Sequence, residues 1–196
     1  SKLLEMKKLI LLLFPLLFSA QTHRFIYQSH YKLDSTATEL AAENMILDIN
    51  PDDVKFYPYS CAETDSLNII RGQRRSRWDD HLPAVIRKKD SFENTSLILL
   101  NDLFSLKSTD KMNWKLLNDT KVDGQYKLQK ATTTFGGRNW IAWFTTDVPI
   151  QDGPYKFSGL PGLIVEIADE KNSHKIELKG LKKITETVQE EANTQG

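Results

Sequence analysis

The sequence predicts a mainly β fold, a β-rich α+β domain built on a single curved antiparallel sheet with one short helix. Short runs rich in aromatic and β-branched residues recur along its 196 residues, and turn sequences such as Gly136-Gly137 separate them. In residues 174–179, His, Ile and Leu alternate with Lys and Glu, which is typical of a strand with one solvated face. Together these patterns favour strands over helices along most of the chain.

The first elements are predicted to be strands. Arg24–Leu33 is rich in aromatic residues, and Glu43–Ile49 and Val54–Tyr59 flank the turn sequence Asn50-Pro51-Asp52-Asp53, which predicts a hairpin. Ala37–Leu47 also contains good helix formers, so a helix opening in that stretch is left as the alternative to a strand.

Asp65–Trp78 is the predicted helix, because its apolar and long side chains recur near the helical repeat. Gly72 weakens that prediction by about 1 kcal/mol relative to Ala. The segment carries the strongest charge cluster of the chain, formed by Arg71, Arg74, Arg75 and Arg77. Two interpretations stay open for the cluster: contact with an anionic surface or acidic partner, or a solvated helix face partly paired with Asp79 and Asp80.

The remaining elements are predicted to be strands joined by tight turns. The predicted strands or strand fragments are Leu82–Lys88, Leu97–Leu106, Met112–Val122, Gln125–Phe135, Arg138–Thr146, Leu163–Ala168 and Lys175–Leu181. Asp123-Gly124 predicts a type I′ hairpin turn. In Asn139–Phe144 both faces are apolar, with Trp140 on one and Trp143 on the other, so this strand is covered on both sides or lines a groove.

The chain divides into three parts. Residues 1–20 are predicted to be a signal peptide, because Met6-Lys7-Lys8 precedes a short apolar run that ends in Ser19-Ala20. Residues 21–185 are predicted to form a single β domain, and the polar segment 186–196 lacks periodicity and is predicted to be disordered. These assignments imply an exported protein located in the periplasm, on the outer-membrane surface or outside the cell, with no membrane-spanning segment.

Charge and residue spacing exclude several classes of function. The first twenty residues carry three Lys and one Glu, which leaves 23 basic and 25 acidic residues and a net charge of −2. This balance argues against nucleic acid as a partner. The four His lack ligand spacing, and Asp79-Asp80-His81 is interpreted as a surface turn, so neither a metal nor a cofactor is predicted. The single cysteine, Cys61, allows no internal disulfide and is expected to be a small buried residue.

No catalytic residues are predicted. A G-x-S-x-G elbow is absent, and nothing around Cys61 suggests a reactive thiol. Carboxylates near turns, Asp147 with Asp152 or Glu166 with Asp169, are the acid–base pairs that an enzyme would use. An envelope hydrolase therefore stays as an alternative to a non-catalytic protein.

The most informative stretch is Gly159-Leu160-Pro161-Gly162-Leu163-Ile164, which follows Asp152-Gly153-Pro154-Tyr155-Lys156-Phe157-Ser158. Other short runs precede it in a regular order, among them Asn113–Leu116, Tyr126–Ala131, Phe135–Arg138, Ala142–Thr145 and Val148–Ile150. In this order and spacing the chain resembles the GLPGLI family, exported proteins of Bacteroidota that take their name from the hexapeptide. The resemblance implies an exported, mostly antiparallel β protein and implies no reaction.

The motif also has a physical interpretation. Proline fixes φ and removes a backbone donor, and glycine allows conformations and close approaches that other residues do not. The segment is therefore expected to turn twice, to pass close to a neighbouring strand, and to send Leu163, Val165 and Ile167 into the core. The motif residues of interest are Gly153, Pro154, Gly159, Leu160, Pro161, Gly162, Leu163 and Ile164.

A structural crossover is one account of the motif, and the rim of a binding groove is the other. The groove is predicted to use Arg138, Trp140, Trp143, Tyr155 and Phe157, because aromatic side chains suit apolar grooves. A peptide, a lipid-like molecule, or an outer-membrane or periplasmic protein is the expected partner. A structural subunit of an outer-membrane assembly is the remaining alternative, and it would show an open sheet edge.

Overall fold

The computed structural model describes residues 22–33, 37–62, 84–99 and 103–184. The predicted signal peptide, the helix at Asp65–Trp78 with its arginine cluster, Asp79-Asp80-His81 and the tail 186–196 lie outside the described residues. Residues 59–62 form a short helical turn. Cys61 is in that turn and is 4% exposed.

The described residues form an eleven-stranded antiparallel sheet, which is the predicted fold class. Its strands are β1 (Thr22–Tyr31), β2 (Ala41–Ile49), β3 (Asp53–Pro58), β4 (Ala84–Lys88), β5 (Glu93–Leu99), β6 (Leu103–Thr109), β7 (Lys115–Asp123), β8 (Tyr126–Phe135), β9 (Arg138–Thr145), β10 (Leu163–Asp169) and β11 (His174–Ile184). The spatial order is β6-β5-β4-β3-β2-β1-β11-β10-β9-β8-β7. Two meanders, β1–β6 and β7–β11, are thus joined where β1 pairs with β11.

Most strand predictions are confirmed, with three differences. The alternative helix in Ala37–Leu47 is wrong, because β2 is extended from Ala41 and pairs with β1. The stretch predicted at Leu97–Leu106 is divided between β5 and β6, which pair with each other as a hairpin. The Asp123-Gly124 turn is not type I′: Asp123 pairs with Tyr126, and Gly124 has a positive φ of 57° whereas Gln125 does not. One positive φ at the first central residue is the type II′ pattern. At Gly136-Gly137 both φ values are positive, as type I′ requires.

The sheet is strongly curved, and it is not closed. Its two edge strands, β6 and β7, follow each other in the chain and are separated only by residues 110–114. Six Cα-to-Cα steps span at most about 22 Å, so the edges approach each other at that end of the sheet. Met112 in this link is 8% exposed and belongs to the core. The curvature creates a concave face that collects the apolar side chains.

The core lies on the concave face. Residues 146–162, which connect β9 to β10 and contain most of the motif, are called the crossover segment below. They supply Phe157 and Leu160 to the core, both almost fully buried. The other core side chains come mainly from the inward face of the sheet: Phe25, Tyr27, Met45, Leu47, Val54, Phe56, Val85, Ala131, Trp140, Ala142, Phe144, Ile164, Ile167 and Ile176.

The inward face of β10 differs from the predicted alternation. Ile164 pairs with Phe144 of β9 and Ile167 pairs with Ala142, with a register shift between Ile164 and Glu166. Val165 is the extra residue of this bulge, so the face that begins at Ile164 continues at Ile167 rather than at Glu166. Of the three residues predicted to enter the core, Leu163 and Ile167 belong to the main cluster, whereas Val165 is buried outside it.

Candidate ligand pocket

The crossover segment and the start of β10 are held against the concave face by hydrogen bonds from residues that are distant along the chain. The hydroxyl of Tyr27, on β1, donates to the carbonyl oxygen of Ile164 at 2.6 Å. The indole Nε1–H of Trp114 donates to the carbonyl oxygen of Ser158 at 2.8 Å. Both donors belong to large aromatic side chains packed in or against the core, so these bonds fix the depth of the crossover segment.

Gly162 explains how closely the crossover segment passes to β9. A Cβ atom at this position would lie 2.0 Å from the carbonyl oxygen of Thr145 and 2.6 Å from its carbonyl carbon. Any side chain would therefore collide with backbone. Gly153 is crowded in the same way by the side chain of Ile164, at 2.7 Å. The prediction of a close approach by the motif is confirmed.

Two ion pairs tie the crossover segment to β4 and to the β6–β7 link. Asp152 pairs with Arg87, whose side chain is 3% exposed. Burial raises the pKa of Asp152, and the charge of Arg87 only partly offsets that increase. Lys156 Nζ lies 3.1 Å from the Asp110 carboxylate and donates to Ser108 at 2.8 Å. These contacts anchor both sides of the turn at Pro154–Phe157.

Aromatic rings converge on Phe157, the fully buried residue after that turn. Its ring centroid lies 4.8 Å from Trp140, 5.7 Å from Phe135, 6.1 Å from Tyr155 and 6.4 Å from Trp114. These are edge-on or tilted arrangements, the favourable geometries for aromatic pairs. Tyr155 has a positive φ of 58°, a conformation that the surrounding contacts impose on a residue that disfavours it.

A cavity of about 320 Å³ opens beside this aromatic cluster. The volume is within the range of small-molecule sites. The lining comes from the crossover segment and six strands, with one turn: Ser29, Met45, Phe56, Phe135, Gly136, Arg138, Trp140, Tyr155, Phe157, His174 and Ile176. The pocket is therefore mainly apolar, with a few polar groups at its wall.

Arg138 and Asp169 form the main polar feature beside the pocket. Arg138 Nη1 donates to Asp169 Oδ2 at 2.8 Å, and the backbone N–H groups of Ser173 and His174 donate to Asp169 Oδ1. Burial alone would raise the pKa of Asp169, but these hydrogen bonds and the charge of Arg138 bring that pKa below its ordinary value. Asp169 is 2% exposed at its side chain, whereas Arg138 is 42% exposed.

The surroundings of His174 favour its neutral form. Burial and the positive charge of Arg138 hold the pKa of His174 below 6.5, and Asp169 only partly opposes them. Its Nδ1 atom is buried and has no hydrogen-bond partner among the described residues. The ring packs edge-on against Trp140, with 6.4 Å between centroids. His174 thus acts mainly as an aromatic wall of the pocket.

Four of the five predicted groove residues line this pocket: Arg138, Trp140, Tyr155 and Phe157. Trp143 does not, because successive residues of a strand point to opposite faces. Its ring lies on the outer face of β9, where Lys121 Nζ is 4.5 Å and Lys130 Nζ is 5.9 Å from the ring centroid. Lys121 also pairs with Glu166 at 2.7 Å.

The carboxylates considered for an enzyme are divided between the two faces of the sheet or already have partners. Glu166 pairs in register with Trp143 and lies on the outer face, whereas Asp169 pairs with Trp140 and faces the pocket side. Asp152 is occupied by Arg87, and Asp147 accepts a hydrogen bond from the backbone N–H of Lys127. Glu166 and Asp169 therefore do not form an acid–base pair.

Several lining residues are not predicted by the sequence. Ser29, Met45, Phe56 and Ile176 come from strands that are distant along the chain from β9. Alternation places Ile176 on an inward face. No local sequence pattern, however, predicts the strand pairing that brings β1, β2 and β3 beside the crossover segment. Their place in the pocket follows from the sheet order.

The described part of the chain contains neither a metal-binding cluster nor a membrane-spanning helix. In residues 22–33, 37–62, 84–99 and 103–184, no group of three or more His, Cys, Asp or Glu side chains is placed to hold a metal ion. The same residues contain no helix with the length and apolar character needed to cross a bilayer.

Comparison with known proteins gives a local sequence match and a broader structural one. Residues 137–166 match the family model described as "Protein of unknown function (Porph_ging)", and this match includes the whole hexapeptide. No curated protein matches the chain.

Two solved structures of PNGF-II, in space groups C2 and P21, resemble the fold. Each has a TM-score of 0.60, with 18% and 17% sequence identity. The similarity covers 84% of this chain but only 28% and 29% of the PNGF-II chains. The chain thus spans less than a third of those proteins, and the likeness concerns the fold.

Proposed function

We propose that the chain is an exported cell-envelope protein of the GLPGLI type that acts by binding rather than by catalysis. Its pocket takes the aromatic or aliphatic part of a peptide or lipid-like ligand. The observation that carries the proposal is the cavity of about 320 Å³ between the crossover segment and the concave face, walled largely by aromatic and aliphatic side chains. Cavities with such walls gain binding free energy by removing apolar ligand surface from water.

The GLPGLI assignment is supported by the motif and by its structural role. The hexapeptide lies within the residues matched by the family of unknown function, and Gly162 permits the close approach of the crossover segment to β9. The proposed export is supported by the sequence of residues 1–20, in which basic residues precede a short apolar run.

A neutral fluorescent dye tests the binding proposal. Prodan, whose emission shifts to the blue in apolar surroundings, is expected to bind the full chain at one site. Ser29→Phe fills the pocket from β1, because Ser29 lines the cavity and is 5% exposed. This variant is expected to lose dye binding. Thr134→Phe adds the same side chain at an exposed position of β8 outside the lining and is the matched control.

Loss of dye binding in both variants, or in neither, would contradict the proposed site. Far-ultraviolet circular dichroism of each variant separates a filled pocket from an unfolded chain.

The N-terminus of the protein recovered from its native envelope tests the export proposal. Cleavage after Ala20 predicts a mature chain that begins at Gln21, and intact-mass spectrometry measures it directly. A chain found in the cytoplasmic fraction with residues 1–20 still attached would refute export.

One observation favours a second candidate, a subunit of an envelope assembly. The edge strands β6 and β7 carry exposed large apolar side chains, namely Phe104, Leu106, Leu116 and Val122. β6 has a continuous register with β5, whereas β7 carries a register irregularity between Leu116 and Thr120 that disfavours pairing. If β6 joins an assembly, Leu106→Lys should release the chain from a large complex on a native gel. Migration as a monomer before the substitution would remove this candidate.

A further inference from the structure

Arg138 gives the pocket a charge preference that its apolar walls do not explain. Among the described lining residues, Arg138 is the one permanent cation, and none of them is Asp or Glu. His174 also lies in the wall, where burial and the charge of Arg138 lower its pKa and so favour its neutral form. The wall of the pocket thus offers a guanidinium group and no carboxylate.

The position of Arg138 suits a ligand that is partly buried and partly solvated. Arg138 lines the pocket and also the groove beside it. That groove contains two carboxylates, so the free side of the guanidinium is toward the pocket; its other lining residues are Gly136, Gly137, Asn139, Asp169, Glu170 and Lys171. The side chain of Arg138 is 42% exposed even though Nη1 is bonded to Asp169. A guanidinium group has five N–H donors in a planar fork, so one bond to Asp169 leaves capacity for a second acceptor.

Asp169 orients Arg138 but accepts a hydrogen bond from only one of its guanidinium nitrogens. The carboxylate of Asp169 accepts hydrogen bonds from the backbone N–H groups of Ser173 and His174 at 2.6 and 3.0 Å. Its negative charge is therefore shared among three donors. Ser173, at the end of the turn between β10 and β11, and His174, the first residue of β11, supply two of them, which orients the carboxylate and through it the guanidinium.

We propose that the pocket selects a carboxylate attached to an aromatic or short aliphatic group, with the apolar part among Trp140, Tyr155 and Phe157 and the carboxylate on Arg138. This inference rests on the proposed binding function and specifies its ligand class. The same chemistry is present in a free aryl-alkyl acid and in the C-terminus of a peptide that ends in an aromatic residue.

Isothermal titration of the full chain with phenylpropanoate and with neutral phenylpropanol tests the inference. The acid is expected to bind about tenfold more tightly, because hydrogen bonds to a charged group are stronger than neutral ones. Arg138→Gln should reduce the affinity for the acid to that for the alcohol and leave the alcohol unchanged. Arg138→Lys should keep a weaker preference for the acid.

Arg24→Gln is the matched control. Arg24 also pairs with a carboxylate, Asp48 at 2.6 Å, but it lies outside the pocket lining, so both ligands should bind as before. Equal affinity of the unsubstituted chain for acid and alcohol would overturn the inference while leaving the binding function intact. Absence of prodan binding as well would overturn both.

A further titration, with a peptide, distinguishes the two sources of the carboxylate. Gly-Gly-Phe with a free C-terminus is compared with its amide. Binding of the free peptide but not the amide assigns the site to peptide C-termini. Binding of phenylpropanoate alone assigns it to free acids, and each of these results upholds the carboxylate preference.

Discussion

Replacing Gly162 by Ala should destabilise the fold more than the small size of the change suggests. The added Cβ would lie 2.0 Å from the carbonyl oxygen of Thr145, whereas an ordinary contact is 3.4–4 Å. The obstructing atoms belong to the backbone of β9, so a rotamer change cannot relieve the collision. Overpacking costs about 1–3 kcal/mol when side chains can adjust. We therefore expect a loss of about 3 kcal/mol or more in the free energy of unfolding.

Gly180→Ala is the matched control for this prediction. Gly180 lies in β11, and a Cβ there would meet no atom within 4 Å. Its free energy of unfolding should stay within about 1 kcal/mol of the unsubstituted chain. Urea unfolding followed by circular dichroism measures both variants, and thermal scans should show Gly162→Ala melting about 6–12 °C lower. If the two variants unfold with similar free energies, the close approach of the crossover segment to β9 is wrong.

Three further predictions concern the contacts around the crossover segment and on β11. Tyr27→Phe removes the donor to the Ile164 carbonyl and should cost about 1–3 kcal/mol in chemical unfolding; no measurable change would mean that the bond is not formed. Arg87→Met leaves Asp152 buried without its partner and should cost about 3–5 kcal/mol, with partial recovery when Asp152→Leu is added; additive losses in the double variant would argue against the pair. Hydrogen bonding to Lys179 is the main cause that lowers the pKa of Glu177 from 4.5 to about 2, so the folded state binds fewer protons there than the unfolded one. Stability should thus fall as pH drops from about 5 towards 2, and Glu177→Gln should flatten that fall in urea titrations at each pH; an unchanged slope would refute this origin.

The strands are predictable because their signals are local. Alternation in 174–179 predicts the inward face of β11, and the Gly136-Gly137 turn joins β8 and β9 as expected. Alternation in Asn139–Phe144 also separates Trp143 from Trp140. The assignment of Trp143 to the groove rests on its aromatic character and disregards that separation, which the sequence already contains.

The remaining features depend on contacts between distant parts of the chain. The bulge at Val165 changes the inward face of β10, and it arises from how β10 pairs with β9. The ion pair of Arg87 with Asp152 links residues 65 positions apart, and both types of residue are usually exposed. Ser29 and Phe56 reach the pocket only because β1, β2 and β3 extend the sheet beyond β11. No local pattern encodes these long-range pairings.

The pairing of β1 with β11 has a consequence for how the chain acquires its structure. β1 and β11 are the first and last strands of the described sequence, so the two meanders can pair only after both have been synthesised. Contacts of such long range slow folding, because a large loop must close before they form. A permutant cut between β6 and β7, with β11 joined to β1, makes every pair of neighbouring strands consecutive in the chain and should therefore fold faster.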